Sequence, residues 1–361
     1  MELFRKKEKC CGCGACIEIC PEGAVTMEQD WEGFFYPKIN KDICTGCGKC
    51  RKVCPLKEIG IAKDKNLYFG ARTKDESIRY SSSSGGIFSV LANFVISRQG
   101  IVYGAGYDEN MNVVHQSAKD DRQLGRIQKS KYVQSDMRGI YSSVQENLEE
   151  SRWVLFCGTP CQVQALKMFI GKEYERLILV DLVCYGVPSP GVWKAYVKYL
   201  EQKHRGRLTD FVFRDKRNAD NGHMRSYKID GVEYIDYLHE DLYCKTYFMN
   251  LALRKSCHNC KFCSVDRNSD FTIGDFWGIE QVKAEFNDGM GISLVIVHSD
   301  RAKKIWDQIS SRLIWFQCKK EELLQPRLLY PTSSAKRIQR AFFMFFYKIL
   351  PFSMAVKLMK I

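Results

Sequence analysis

The sequence predicts a small α+β module followed by a larger mixed α/β domain. Nine of the 17 cysteines fall in the first sixty residues, which read as a self-contained unit of short loops. From about Ser81 onward, helix-like and strand-like apolar patterns alternate, as expected for an α/β layer with some parallel sheet. A chain of 361 residues is about two domains' worth, and its 45% hydrophobic and 27% charged composition is that of a globular protein. The expected divisions are residues 1–62, 63–325 and a basic-aromatic extension at 326–361.

A bridge is expected over residues 63–77. Apolar positions Ile87, Phe88, Leu91, Phe94 and Val95 give a helical stripe within residues 84–97, with Gly100 as its stop. Residues 101–107 read as a strand, 141–150 as a helix, 153–156 as a strand and 162–169 as a helix. Residues 177–183 form a buried strand whose one charge is Asp181. Ser189-Pro190 reads as an N-cap with proline at N1, opening a helix to about His204. Short strands are expected at 211–213, 227–229, 271–273 and 293–298.

The cysteines carry the chemistry. An odd, clustered total in a chain too long to need disulfide staples points to thiolate ligands or redox chemistry. No apolar leader precedes the first cysteine, so export is not expected and a cytoplasmic location is. The longest nearly apolar stretch, Ala341 to Leu350, is about half of what a bilayer requires and contains Lys348.

The spacing C-x2-C-x2-C-x3-C-P occurs twice, as Cys10, Cys13, Cys16, Cys20-Pro21 and as Cys44, Cys47, Cys50, Cys54-Pro55. This is the two-cluster bacterial ferredoxin pattern, in which each run's fourth cysteine ligates the other run's cluster. One [4Fe-4S] cluster is therefore assigned to Cys10, Cys13, Cys16 and Cys54, and the other to Cys44, Cys47, Cys50 and Cys20. Zinc also binds CxxC pairs, but it explains neither the third cysteine of each run nor the repeated Cys-Pro. Cys11 falls outside the register and reads as a non-ligand. Gly12, Gly14, Gly46 and Gly48 relieve crowding beside the cluster and leave amides free to face sulfur.

Five further segments carry a resemblance: Ser81 to Ser89 (SSSSGGIFS), Phe156 to Gln162 (FCGTPCQ), Asp181 to Ser189 (DLVCYGVPS), Arg254 to Cys260 (RKSCHNC) and Asp270 to Gly278 (DFTIGDFWG). In this order they resemble the coenzyme F420 hydrogenase/dehydrogenase beta-subunit family, over roughly residues 1 to 300 with the ferredoxin block. The resemblance implies a flavin-binding α/β domain with FAD beside a third [4Fe-4S] cluster. Matching the family's motifs assigns that cluster to Cys161, Cys184, Cys257 and Cys260, with Cys157 and Cys263 as competing ligands. It also implies flavin contacts at Ser83, Ser84, Gly85 and Gly86, at Lys131 and Tyr132, and at Gly158, Thr159 and Pro160, with Asp275 and Trp277 in the substrate or cofactor wall.

The expected activity is an electron relay. Ferredoxin or another redox protein exchanges single electrons with the clusters, and FAD exchanges two with a small organic substrate. F420 as the diffusible substrate and a non-catalytic electron-transfer subunit are the alternatives. The six histidines have no recurrent spacing, and no nucleophile elbow, phosphate loop or complete dinucleotide fingerprint is found. Each cluster with its four thiolates carries −2, so three of them bring the formal +13 to about +7. That remaining charge suits an acidic partner or anionic surface and does not call for nucleic acid. The C-terminal mixture of bases and aromatics reads either as a peripheral membrane contact or as a helix that docks on protein. A homo-oligomer stays open.

Overall fold

The structure, a computed structural model, describes residues 3–4, 6–57, 66–217 and 224–359. The expected division at residues 62 and 63 lies outside them, as does His223.

The first module holds a hairpin, β1 (Val25–Gln29) and β2 (Phe35–Ile39), antiparallel with Val25 opposite Ile39. Two one-turn helices, Ala15–Glu18 and Lys49–Lys52, begin after Gly14 and Gly48 at φ 83° and 75°. Gly12 and Gly46 repeat the feature at 71° and 72°. The sequence duplication is thus a conformational duplication, set where glycine alone is cheap.

In the larger part, β3 (Leu67–Thr73), β4 (Ile101–Tyr107), β5 (Val113–Ala118), β6 (Val154–Gly158) and β7 (Leu177–Leu182) precede a separate meander. The meander is β8 (Leu208–Asp215), β9 (Met224–Ile229) and β10 (Val232–Tyr237), and β11 (Phe271–Asp275), β12 (Ser293–Val297) and β13 (Leu313–Cys318) follow. The main sheet has the order β13-β3-β12-β11-β7-β6-β4-β5. Its centre, β4, β6, β7 and β11, is parallel, and antiparallel strands flank it on both sides.

Several expected boundaries move. The segment expected as a bridge contains β3, which is central to the antiparallel half, between β13 and β12. The helix expected from residue 84 begins at Ile87, because Gly86 at φ 87° belongs to the turn before it. The helix expected from residue 162 begins at Pro160, because Thr159 and Gln162 form a capping box. The strand expected to end at Phe156 continues to Gly158. The helix Pro190–His204 starts behind its Ser189 cap, as read from the sequence.

Strand alternation divides the core. Val102, Leu155, Cys157, Ile178 and Val180 face the helix Ile87–Ile96. Ile101, Tyr103, Val154, Phe156, Leu177 and Leu179 face the helices Ile140–Glu149 and Pro160–Ile170, and Cys13, Ala15 and Val53 of the first module join that layer. The C-terminal helices Arg337–Ile349 and Phe352–Leu358 send Phe343, Met344, Tyr347, Phe352, Ala355 and Val356 into a third core with Trp193, Phe213 and Phe34. Residues 337–358 are therefore packed on the body.

Candidate functional site

Cys10, Cys13, Cys16 and Cys54 line one cavity, with Cys11 and Cys50 at its wall. Cys20, Cys44, Cys47 and Cys50 line a second. The fourth cysteine of each run thus lies with the first three of the other. Burial, then the thiols of Cys10 and Cys54, push Cys16 up to about 12. Burial raises Cys50 as well, followed by Cys20. Cys47 is exposed, so the second cavity reaches solvent.

A third group forms where β6 and β7 end. Cys161 sits in the first turn of the helix Pro160–Ile170, Cys184 two residues beyond β7, and Cys257 and Cys260 in and just after the turn Lys255–Asn259. Burial pushes the Cys184 thiol well up, and Cys257, Cys161 and Cys260 push it further. Burial takes Cys257 to about 12, with Cys161 and Cys260 again contributing. The Thr159 hydroxyl is 3.2 Å from Cys161 Sγ. Cys263 interacts with Cys260 and also feels Cys184, so it stands with this group as a fifth thiol. Cys157 is on the opposite face of β6, because it alternates with Phe156, and its charged neighbours are Asp181 and Lys131. His258 bonds the Thr332 carbonyl at 3.1 Å. Among the described residues, no three of His, Cys, Asp or Glu stand close enough for a single metal ion.

The two parts meet between the first and third thiol groups. The Cys11 thiol stands near Cys13 and Cys161, which act on it more strongly than any other group: Cys13 raises it and Cys161 lowers it. Arg254, fully buried, donates to the Cys10 carbonyl at 2.9 Å, to Gln134 at 2.9 Å and to the Phe35 carbonyl at 3.0 Å, and reaches Cys10 Sγ at 3.6 Å. A Cβ on Gly12 would stand 2.6 Å from Gln134 Nε2, so this glycine makes room for the junction. Glu18 accepts from the amides of Gly139 and Ser142, both at 2.9 Å, satisfying donors at the start of the helix Ile140–Glu149. Buried Glu32 receives a two-pronged bond from Arg340 at 2.6 and 2.8 Å. The sequence pattern singles out none of Cys11, Gln134, Arg254 or Glu32 for this role. Arg254 does lie inside one of the motifs, three residues before Cys257.

The residues expected at the flavin gather where β4, β6, β7 and β11 end together, the edge at which α/β proteins place ligands. Ser83 Oγ accepts from the Ser130 amide at 2.9 Å, which joins loop 81–86 to the loop holding Lys131 and Tyr132. Ser84 Oγ donates to the Ile292 carbonyl at 3.0 Å, and the Gly85 amide to Ser293 Oγ at 2.9 Å. A Cβ on Gly85 would stand 2.3 Å from the Ala71 carbonyl, and one on Gly86 2.9 Å from Thr73. These glycines therefore let the loop close on β3. The Lys131 amine donates to the carbonyls of Arg126, Gln128 and Lys129, and burial lowers it to about 7. The Tyr132 ring stacks on Tyr247 at 4.9 Å. Gly158 approaches the ring edge of Phe156, and Thr159 and Pro160 open the helix that carries Cys161. Asp275 pairs with Arg214 at 2.5 Å, and Trp277 is half exposed.

Beside them lies a cation group with no sequence motif to announce it. Lys216, buried, donates to the carbonyls of Arg79 and Ser84 at 2.8 and 2.6 Å. Burial, then Arg79 and Arg214, hold its amine down to about 7.

The chain's similarities follow the same division. Residues 9–57 match a 4Fe-4S dicluster domain, and residues 36–88 match a second model of that description. Residues 151–321 match the model for the C-terminal part of the coenzyme F420 hydrogenase/dehydrogenase beta subunit. The F subunit of the F(420)H(2) dehydrogenase of Methanosarcina mazei is 27% identical over 191 residues, 48% of this chain and 53% of the relative. An uncharacterised ferredoxin of Methanocaldococcus jannaschii is 39% identical over 36 residues, 10% of this chain and 47% of the relative. The chain thus spans about half the length of the curated relatives it matches. A chain of the F420-reducing [NiFe] hydrogenase complex of Methanosarcina barkeri, solved as a xenon derivative, superposes with a TM-score of 0.45 at 17% identity, covering 72% of this chain and 84% of that one. The chain thus joins an N-terminal 4Fe-4S dicluster domain, with two clusters, to a region that matches the coenzyme F420 hydrogenase/dehydrogenase beta-subunit family over residues 151–321.

Proposed function

We propose that this chain is an iron–sulfur flavoprotein that exchanges two electrons with coenzyme F420 and single electrons with a ferredoxin or another redox protein. The observation that carries the reading is the junction at which Arg254, three residues before Cys257, bonds the Cys10 carbonyl and Gln134 while Cys11 stands near Cys161, so that the thiol groups of the two parts are neighbours. Cys50 lines both N-terminal cavities, and Cys47 opens the outer one to solvent. The order follows: a partner meets the group Cys20, Cys44, Cys47 and Cys50; the group Cys10, Cys13, Cys16 and Cys54 comes next; Cys161, Cys184, Cys257 and Cys260 hold the innermost, third [4Fe-4S] cluster.

FAD, when bound, supplies the conversion between single electrons and a two-electron transfer. The carboxyl edge suits it. Arg214 and Arg79, paired with Asp275 and Asp288, and Lys216, whose amine a bound anion would keep protonated, form a cationic group for a pyrophosphate, Ser83 offers a hydroxyl, and Trp277 gives an apolar wall. The Methanosarcina mazei relative is named as an F(420)H(2) dehydrogenase, which favours F420H2 over an unspecified organic acid or alcohol as the two-electron reactant. The test is anaerobic addition of F420H2 to the full chain reconstituted with iron, sulfide and FAD. Bleaching of the cluster absorbance is the expected result. No bleaching by F420H2, with full bleaching by reduced ferredoxin, would assign the site to another substrate. Replacing Lys216 with Met should weaken FAD retention at least about tenfold, equivalent to about 1.4 kcal/mol, as read by equilibrium dialysis.

A further inference from the structure

The C-terminal helix pair has two apolar faces, and one of them is already spent. Arg340, Phe343, Met344 and Tyr347 of Arg337–Ile349, with Phe352, Ala355 and Val356 of Phe352–Leu358, are buried against the body. On the opposite side Ile338, Phe342, Phe345 and Ile349 follow each other at spacings of four, three and four residues. At about 100° per residue they fall in one strip roughly 60° wide. Met354 and Leu358 extend it on the second helix. These six side chains are between 51% and 72% exposed. They are bulky and contiguous in pattern, unlike the scattered single apolar residues that any surface carries.

The charge around the strip has one sign. Lys336, Arg337, Lys348 and Lys357 are the exposed ionic residues of the pair, and no Asp or Glu occurs anywhere in residues 323–361. A face made of aromatic and aliphatic side chains with a cationic border complements an anionic lipid surface, with the rings among the acyl chains and the cations at the headgroups. Among the described residues no helix is long and apolar enough to cross a membrane, so the pair can meet a membrane only in the plane of its interface. The face is preformed: the buried bond of Arg340 to Glu32 fixes the first helix to the dicluster module.

We propose that this helix pair seats the protein on an anionic membrane surface, with the dicluster module held beside it. This is independent of the substrate read above. The test is co-sedimentation of the full, iron-loaded chain with vesicles of phosphatidylcholine alone or with 30% phosphatidylglycerol. The chain should sediment with the anionic vesicles, bind at least tenfold less to the neutral ones, and be released by raised salt. The double variant F342E/F345E should lose at least tenfold in binding while keeping its iron content and melting temperature. Equal sedimentation with both vesicle types, or none, overturns the proposal. So does a concentration-dependent dimer, seen by analytical ultracentrifugation and abolished by F342E/F345E without any vesicle binding, which would assign the face to a second copy of the chain.

Discussion

Arg254 illustrates how much of the site resides in single residues outside the ligand set. Its guanidinium is buried, lies 4.1 Å from the Tyr36 ring centroid, and holds the Cys10 carbonyl and Gln134 from the opposite part of the chain. A fixed positive charge beside a cluster favours the reduced, more negative form. Arg254→Met should therefore lower the midpoint potential of the cluster assigned to Cys10, Cys13, Cys16 and Cys54 and leave that of Cys20, Cys44, Cys47 and Cys50 in place, in a titration followed by electron paramagnetic resonance. Arg254→Lys keeps the charge but loses the fork, and should restore the potential in part.

Glu32 is the second such residue. Burial alone would raise its carboxyl, but Arg340 and Lys255 override it and hold it below its ordinary 4.5. A depressed carboxylate contributes stability that is complete above its unfolded value and lost as pH falls through the folded one. Glu32→Gln should cost about 3–5 kcal/mol near neutral pH, as expected for breaking a buried pair. Denaturant titrations should show that gap narrowing as pH is lowered through and below 4.5. The two N-terminal cysteine runs were legible because their spacing is local, whereas Cys161, Cys184, Cys257 and Cys260 are scattered over about a hundred residues and were assigned only through the family resemblance. Cys11, Arg254 and Glu32 were not legible, because their partners lie more than a hundred residues away.

Elements with strong local punctuation were legible: the Ser189-Pro190 start, the strand 101–107 and the amphipathic helix 140–149 all stand close to where the pattern puts them. β3 was missed because Leu-Tyr-Phe-Gly-Ala-Arg-Thr has neither clean alternation nor a turn signal, and its strand identity comes from β12 and β13, over two hundred residues later. Cys157 and Cys161 were competing ligands in the sequence, and strand alternation separates them. The glycines of loop 81–86 also have a packing role that the sequence did not announce. Gly85→Ala would drive a methyl against the Ala71 carbonyl and should destabilise the fold by about 1–3 kcal/mol. Thermal unfolding in the absence of FAD checks this, because a residue needed only for cofactor approach would leave the melting temperature of the flavin-free protein unchanged.

Across the whole molecule, the thiol groups form a sequence from an exposed entrance at Cys47 to the carboxyl edge of the main sheet. The dicluster module is built into the larger part through Glu18, Glu32, Cys11 and Arg254 rather than joined by a linker alone. Three groups of four thiolates predict about twelve iron per chain after anaerobic reconstitution. Eight iron, with full FAD occupancy, would leave the innermost group without a cluster.

The central claim is that the group at Cys161, Cys184, Cys257 and Cys260 connects the dicluster module to the flavin. Rapid-mixing absorbance of the Cys184→Ser variant, with FAD content and melting temperature matched to the parent, tests it most directly. Reduction of FAD by reduced ferredoxin should slow at least a hundredfold, since the electron must cross a longer gap, whereas a small hydride donor with direct access should reduce FAD at the parent's rate. Reduction by ferredoxin at the parent's rate would contradict the claim and route electrons past the third group.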